Sequence, residues 1–303
     1  MSSTAYRIFC LLGSCILSLL SADGQTSKDI PYASLSEAQK LDMYIPADSG
    51  VYPAVLWVHG GGWDRWDKAL QSTDPQMILL SHGYALVSVN YRLSGEAKFP
   101  AQIQDLKAAL RWVRAHAHEY RIDPGRIAVW GSSAGAHLAA LLGTSDGIAE
   151  LQDSSLGNPA FSTKVSAVID WFGPIDFSTM DEDLARNGFP RTPEKGHNSP
   201  NSSESRLLGA AITERPDLVR KANPVTYITA DASPFLIEHG LLDKSVPHQQ
   251  SQMLYDRLAK FIGEEKLEIH FFNTGHGAVS PEDPFNSPEN LEIVIRFLDR
   301  WMK

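Results

Sequence analysis

Cysteine is nearly absent from this chain of 303 residues, and both copies, Cys10 and Cys15, lie inside the apolar run 8–20. The body of the chain is therefore excluded from disulfide-framework folds. Long apolar runs are also missing. The stretch from Ile8 to Leu20 has thirteen residues, against the about 20 that a bilayer-spanning helix needs. With Arg7 before it and the small residues Ala22 and Gly24 after it, it reads as a secretory signal peptide over 1–24. The expectation is a secreted or periplasmic domain over 25–303 with no stable membrane insertion. The other reading of the run, lipid attachment at Cys15 in Leu12-Gly13-Ser14-Cys15, fits less well because apolar residues continue past Cys15. Positive charge is in short supply: 27 Lys and Arg face 36 Asp and Glu, a net charge of −9. This argues against nucleic acid or an anionic membrane as a standing partner, and mildly against polyanionic substrates. No internal repeat occurs. No G-x-x-x-x-G-K-[ST] or helix-opening G-x-G-x-x-G pattern is present, and His82, His116, His118 and His239 lack metal-ligand spacing. No cofactor and no metal are expected.

What is there begins with Gly131-Ser132-Ser133-Ala134-Gly135, following the apolar Ile127-Ala128-Val129-Trp130. A serine hydroxyl is a poor nucleophile, and a G-x-S-x-G frame lifts it clear of a sheet on a sharp strand-to-helix turn. Ser133 is the candidate nucleophile. Alone, the pattern is also compatible with a plain Gly/Ser turn. Upstream, Val55-Leu56-Trp57-Val58 runs into His59-Gly60-Gly61-Gly62-Trp63. Three consecutive glycines are costly in backbone entropy, and their expected use is an oxyanion hole from the N–H groups of Gly61, Gly62 and Ala134. His59 is expected to orient that loop. Downstream, Pro234–Gly240 reads as a strand followed by Asp243, and Leu267–Phe272 as a strand followed by Gly275-His276-Gly277. Asp243 taken singly reads equally as an exposed turn aspartate and His276 as a loop histidine. The order Ser133, Asp243, His276 is that of nucleophile, acid and base at successive strand ends; Asp176 and Glu238 are the alternative acids.

These motifs carry a resemblance. The chain is similar to α/β-hydrolases with the His-Gly-Gly-Gly-Trp signature, and within them to bacterial secreted feruloyl-esterase and xylan acetyl-esterase types, with hormone-sensitive-lipase-like carboxylesterases as near relations. Supporting stretches are Lys40–Pro46, Val89–Leu93, Phe99–Asp105 and His239–Asp243. The resemblance implies an α/β-hydrolase fold and a Ser133–His276–Asp243 acyl-enzyme mechanism. Two departures bear on acyl preference: Ala136 stands where many relatives carry glycine, and Asp64-Arg65-Trp66 places a charged pair near the expected mouth.

Elsewhere, strand and helix patterns alternate, implying an α/β fold with a mostly parallel central sheet flanked by helices. Ile103, Leu106, Leu110 and Val113 form one helical stripe, and Leu291, Val294, Ile295, Leu298 and Trp301 another. The segment from about 177 to 205 is polar and without steady periodicity, so 177–222 is read as a cap or lid insertion, with a solvated surface loop as its plain alternative. Trp63, Trp66, Trp171 and Phe172 are the candidate substrate-binding residues, since flat apolar faces suit an aromatic acyl group or a sugar ring. Trp57 and Trp130 are assigned to core packing. Asn201-Ser202-Ser203 is a nominal glycosylation site. The expected function is a secreted serine esterase for acetyl or hydroxycinnamoyl esters, as small molecules or on plant polysaccharide. Three alternatives stand beside it: a generalist short-chain carboxylesterase or lipase-like enzyme, a prolyl-oligopeptidase-like peptidase, and a catalytically inactive binding protein. The oligomeric state is not legible.

Overall fold

The computed structural model describes residues 24–277 and 282–303. The signal-peptide and lipid-attachment readings concern segments that lie, but for Gly24, outside the described residues. Eight strands form one sheet in the order β1-β2-β4-β3-β5-β6-β7-β8. They are β1 (Gln25–Pro31), β2 (Lys40–Ile45), β3 (Tyr52–Val58), β4 (Ala85–Val89), β5 (Ile122–Ser132), β6 (Val168–Trp171), β7 (Phe235–Gly240) and β8 (Leu267–Phe272). The β1/β2 and β2/β4 pairs are antiparallel and the remaining pairs parallel. The helices are α1 (Ile78–Ser81), α2 (Ala101–Ala115), α3 (Ala134–Thr144), α4 (Met180–Arg186), α5 (Ser203–Leu208), α6 (Pro216–Ala222), α7 (Gln249–Ile262) and α8 (Pro288–Met302).

Both faces of the inner parallel strands are covered, which is why β3 and β4 read as near-continuous apolar runs rather than as alternation; the edge strand β8 alternates instead. Along β3, Leu56 and Val58 join the core beneath Leu106 of α2, Leu138 of α3 and Leu254 of α7. Val55 and Trp57 point the other way, into the layer shared with Val294 and Leu298 of α8. The edge strand β1 has the sequence Gln-Thr-Ser-Lys-Asp-Ile-Pro and is mostly exposed, so it carries no apolar signal. It is held from the side: Lys68 Nζ reaches Asp29 Oδ1 at 2.8 Å and the buried Asp42 at 2.7 Å.

The insertion departs from its irregular reading. It contains α4, α5 and α6, each of six or seven residues, under two turns and too short for an apolar stripe to recur. Polar anchors fix them instead. The Asp181 carboxylate accepts from the N–H groups of His197 and Asn198, both at 2.8 Å, and Ser202 caps α5 by accepting from Ser205 N–H at 3.0 Å.

Glu238 of β7 is fully buried on the α8 side, where its Oε2 accepts from Asn290 Nδ2 at 3.0 Å and its Oε1 has no partner. Burial pushes its carboxyl up to about 8, offset only in part by Asn290 and Trp171. The folded state therefore holds a proton there that the unfolded chain gives up near the ordinary value of 4.5, so stability falls as pH rises from about 4.5 to about 8. The Glu238→Gln variant is expected to unfold at a higher temperature than wild type at pH 8, with the gap closing towards pH 5; thermal melts at both pH values check this.

Candidate active site

Every functional side chain predicted for the triad sits beyond the carboxyl end of a parallel strand, the edge at which open α/β sheets place their sites. Between β5 and α3 stands Ser133, with φ 53° and ψ −122°, a backbone that side-chain-bearing residues rarely adopt. Its N–H is tied down by the Trp171 carbonyl at 2.8 Å. The turn is this tight because Gly131 and Gly135 lack a Cβ: one on Gly131 would run into the Gly135 carbonyl, and one on Gly135 into the carbonyls of Val58 and His59.

Beyond β8, His276 Nε2 lies 2.9 Å from Ser133 Oγ, and its Nδ1 lies 2.6 Å from Asp243 Oδ2. With Nδ1–H donating to the carboxylate, Nε2 is left as an acceptor facing the hydroxyl. Asp243, beyond β7, is buried and fully engaged. Its Oδ1 accepts from the N–H groups of Ser245 at 2.7 Å and Val246 at 2.9 Å, and its Oδ2 also meets His239 Nε2 at 3.2 Å. Burial pushes this carboxyl up, but hydrogen bonds from His239 and His276 outweigh it and hold Asp243 well below the usual carboxylate range. The alternative acids lie elsewhere. Glu238 faces α8, and Asp176 accepts from Ser178 and from Asn223 Nδ2.

The glycine loop follows β3. Gly61 and Gly62 have φ of 92° and 60°, and the Asp64 N–H donates to the Gly61 carbonyl at 3.1 Å. Tyr91 O–H pins the loop from below, 3.0 Å from the His59 carbonyl and 3.2 Å from that of Gly60, while the His59 ring stacks on Tyr91 at 4.6 Å. Burial drives His59 down to about 4, so it is neutral in neutral solution and its Nδ1–H donates to the Gly60 carbonyl at 2.9 Å. The backbone N–H groups of Gly61, Gly62 and Ala134 take no acceptor among the described residues, and all three residues line one cavity of about 380 Å³ with Ser133 and His276.

The family description BD-FAE matches residues 41–258, a span that includes Ser133 and Asp243 and stops before His276. The chain belongs to the BD-FAE family. It is 32% identical over 238 residues to the probable carboxylic ester hydrolase LipM of Mycobacterium tuberculosis, covering 76% of this chain and 51% of LipM. The chain thus spans about half the length of the curated relatives it matches. Among solved structures, a truncated form of a carbohydrate esterase from gut microbiota superposes with a TM-score of 0.80 at 30% identity, over 93% of this chain and 97% of that one. A bifunctional GH43-CE protein of Bacteroides eggerthii gives 0.78 at 32% identity, over 92% of this chain and 35% of that one. These likenesses place the chain within the α/β-hydrolase fold.

In this BD-FAE chain the four aromatic residues expected to meet substrate divide unequally. Trp66 alone is exposed, at 65%, and it borders both the 380 Å³ cavity and a second of about 500 Å³ lined by Trp57, Leu70, Pro75 and Trp171. Trp63 is packed against His137 and Phe177, at 5.2 and 5.4 Å between ring centroids. Trp171 is wedged against Trp130 and Phe285, because residues two apart on β6 share a face and Ile169 already points into that layer. Phe172 is buried with its ring 4.9 Å from that of His276, where it backs the imidazole. All three are buried, and of them Trp63 still lines the smaller cavity and Trp171 the larger. Among the described residues no cluster of three or more metal-capable side chains occurs, and no helix is long and apolar enough to cross a membrane. Sequence reasoning missed the contact of His239 with Asp243, the role of Tyr91 under the loop, and the insertion residues Arg191, Lys195, His197 and Glu204 on the cavity wall. Tyr91 and His239 lie in the stretches that carry the resemblance, but nothing local says what their side chains touch, and the four insertion residues carry no local motif.

Proposed function

We propose that this chain is a secreted serine esterase that cleaves acetyl or hydroxycinnamoyl esters of carbohydrate through an acyl-enzyme on Ser133. The observation that carries the reading is the continuous contact Ser133 Oγ–His276–Asp243, at 2.9 and 2.6 Å, beside three unengaged N–H groups. In the first half-reaction Ser133 Oγ attacks the ester carbonyl and His276 Nε2 takes its proton. The carbonyl oxygen becomes an oxyanion within reach of Gly61, Gly62 and Ala134, donors already fixed before charge develops. Collapse of the tetrahedral intermediate breaks the bond to the alcohol oxygen, which receives the proton from His276. Water then enters by the same route and releases the acid, with His276 again base and then acid. Asp243 holds the tautomer and offsets the charge on the imidazolium.

The substrate class is supported by the two solved structures compared above, one a carbohydrate esterase and the other a GH43-CE protein. An acetyl group needs no slot of its own. A hydroxycinnamoyl group has one available in the 500 Å³ cavity, which begins at Gly60, where a Cβ would sit 3.4 Å from the Trp66 ring and 3.2 Å from Ser133 Cβ. Purified enzyme is expected to turn over 4-nitrophenyl acetate, with Ser133→Ala as the blank. Efficiency on methyl ferulate within about tenfold of that, a difference near 1.4 kcal/mol in transition-state binding, assigns the aromatic cavity to the acyl group; turnover of the acetate alone restricts the enzyme to short acyl chains. No turnover of either sinks the esterase reading. Export is checked by the mass of the chain recovered from the medium, expected to lack about the first 24 residues.

A further inference from the structure

The charge around the Ser133–His276 cavity is opposite in sign to that of the whole chain. Arg65, Arg191 and Lys195 all line it. Two of the nearby acids are already matched. Asp64 is held by Arg206 and lies 3.5 Å from Arg65, and Glu204 on the cavity wall pairs through Oε1 with His197 Nδ1 at 3.0 Å. Arg191 donates to the Lys244 carbonyl but, like Lys195, has no carboxylate partner among the described residues. Screening at ordinary ionic strength shortens the reach of a charge to about 10 Å, so these two cations, rather than the diffuse net charge of −9, set the potential at the mouth.

Two further features share the cavity. Glu204 Oε2 is buried and without a hydrogen-bond partner, an acceptor waiting for a donor. Trp66 presents an exposed ring. Their side of the reaction is fixed by the proton. The departing oxygen must be reached by His276 Nε2, and the segment bearing Arg191 and Lys195 is fastened to the acid loop on that same wall, through Arg191 to the Lys244 carbonyl and His197 Nε2 to the Ser245 carbonyl at 2.9 Å.

We propose that the alcohol released from the ester is an acidic sugar, an acylated uronosyl unit or its neighbour in an oligosaccharide. Its carboxylate is met by Arg191 and Lys195, a hydroxyl donates to Glu204 Oε2, and a ring face lies on Trp66. This deepens the carbohydrate-ester reading and rests on it. The test compares kcat/KM on an acetylated xylooligosaccharide bearing glucuronic acid, on the neutral acetylated oligosaccharide of the same length, and on 4-nitrophenyl acetate. A preference of about tenfold for the acidic sugar is expected, carried by KM, as two exposed charge pairs together supply. It should fall towards parity in Arg191→Ala/Lys195→Ala, invert in Arg191→Glu/Lys195→Glu, and shrink in about 0.5 M salt.

Equal efficiency on the two sugars, or a preference that survives the double variant, overturns the acidic-sugar inference and leaves the carbohydrate-esterase reading standing. Turnover of 4-nitrophenyl acetate with neither sugar touched overturns both. A gain confined to 4-nitrophenyl hydrogen succinate places the carboxylate on the acyl side and overturns the uronosyl assignment.

Discussion

Ser133→Ala is expected to lower ester turnover by about 10⁶-fold, as removal of the nucleophile does in serine hydrolases whose residues act as a unit, while the unfolding midpoint hardly moves. The hydroxyl makes one hydrogen bond, to His276 Nε2 at 2.9 Å, and a single such bond contributes only about 1 kcal/mol net. The backbone of Ser133, at φ 53°, is a separate matter. Alanine inherits that strain, whereas glycine does not. Ser133→Gly should therefore be as inactive as Ser133→Ala and more stable than it: relief of a strained φ yields about 1–3 kcal/mol, against about 0.5–1 kcal/mol for the freer unfolded chain of glycine. Denaturant titration of the pair measures the strain, and turnover measures the nucleophile. If Ser133→Ala keeps its rate, the assignment of Ser133 fails; if the glycine variant is the less stable, the elbow stores no strain.

The parallel core and the placement of Ser133, Asp243 and His276 just past strand ends were legible because both are written locally. Strands β3 and β5 carry apolar runs that end at the motif residues, and a buried parallel strand needs no partner in sequence to be recognised, while the edge strand β8 reads from its alternation Leu267-Glu268-Ile269-His270. What was not legible depends on contacts between distant segments. The polar edge strand β1 gains its place from pairing with β2 and from Lys68. The short helices of 177–222 are set by capping and by the Asp181 carboxylate rather than by an apolar stripe. Whether a tryptophan near a strand end meets substrate or core is decided by which face it points to: Trp171 follows Ile169 inward, and Trp66, on the loop three residues past Trp63, stays out. The cationic wall joins Arg65 from the loop after β3 to Arg191 and Lys195 from the insertion, a proximity that only the folded chain creates.

Asp243→Asn is expected to cost about 10⁴ in turnover at neutral pH, and the local hydrogen bonds say why. Oδ1 accepts from the N–H groups of Ser245 and Val246, so in the variant the amide oxygen must occupy that position and the NH₂ must face His276 Nδ1. An NH₂ there donates, which makes Nδ1 the acceptor and puts the imidazole proton on Nε2. That tautomer cannot take a proton from Ser133. The NH₂ also faces His239 Nε2, which already meets the Val246 carbonyl at 2.9 Å, so two hydrogen-bonding patterns are upset together. Because His239 and His276 hold the native carboxyl well below its ordinary value against the opposing effect of burial, Asp243 adds stability above about pH 4 that is lost as pH falls through its folded value. The stability gap between wild type and Asp243→Asn should therefore be widest near neutrality and close in acid. Glu238→Gln and Asp176→Asn, whose carboxyl groups in the wild type face α8 and Asn223, are expected to retain turnover within about tenfold. A near-native rate in Asp243→Asn, with a collapse in either of the other two, would move the acid of the relay to that residue.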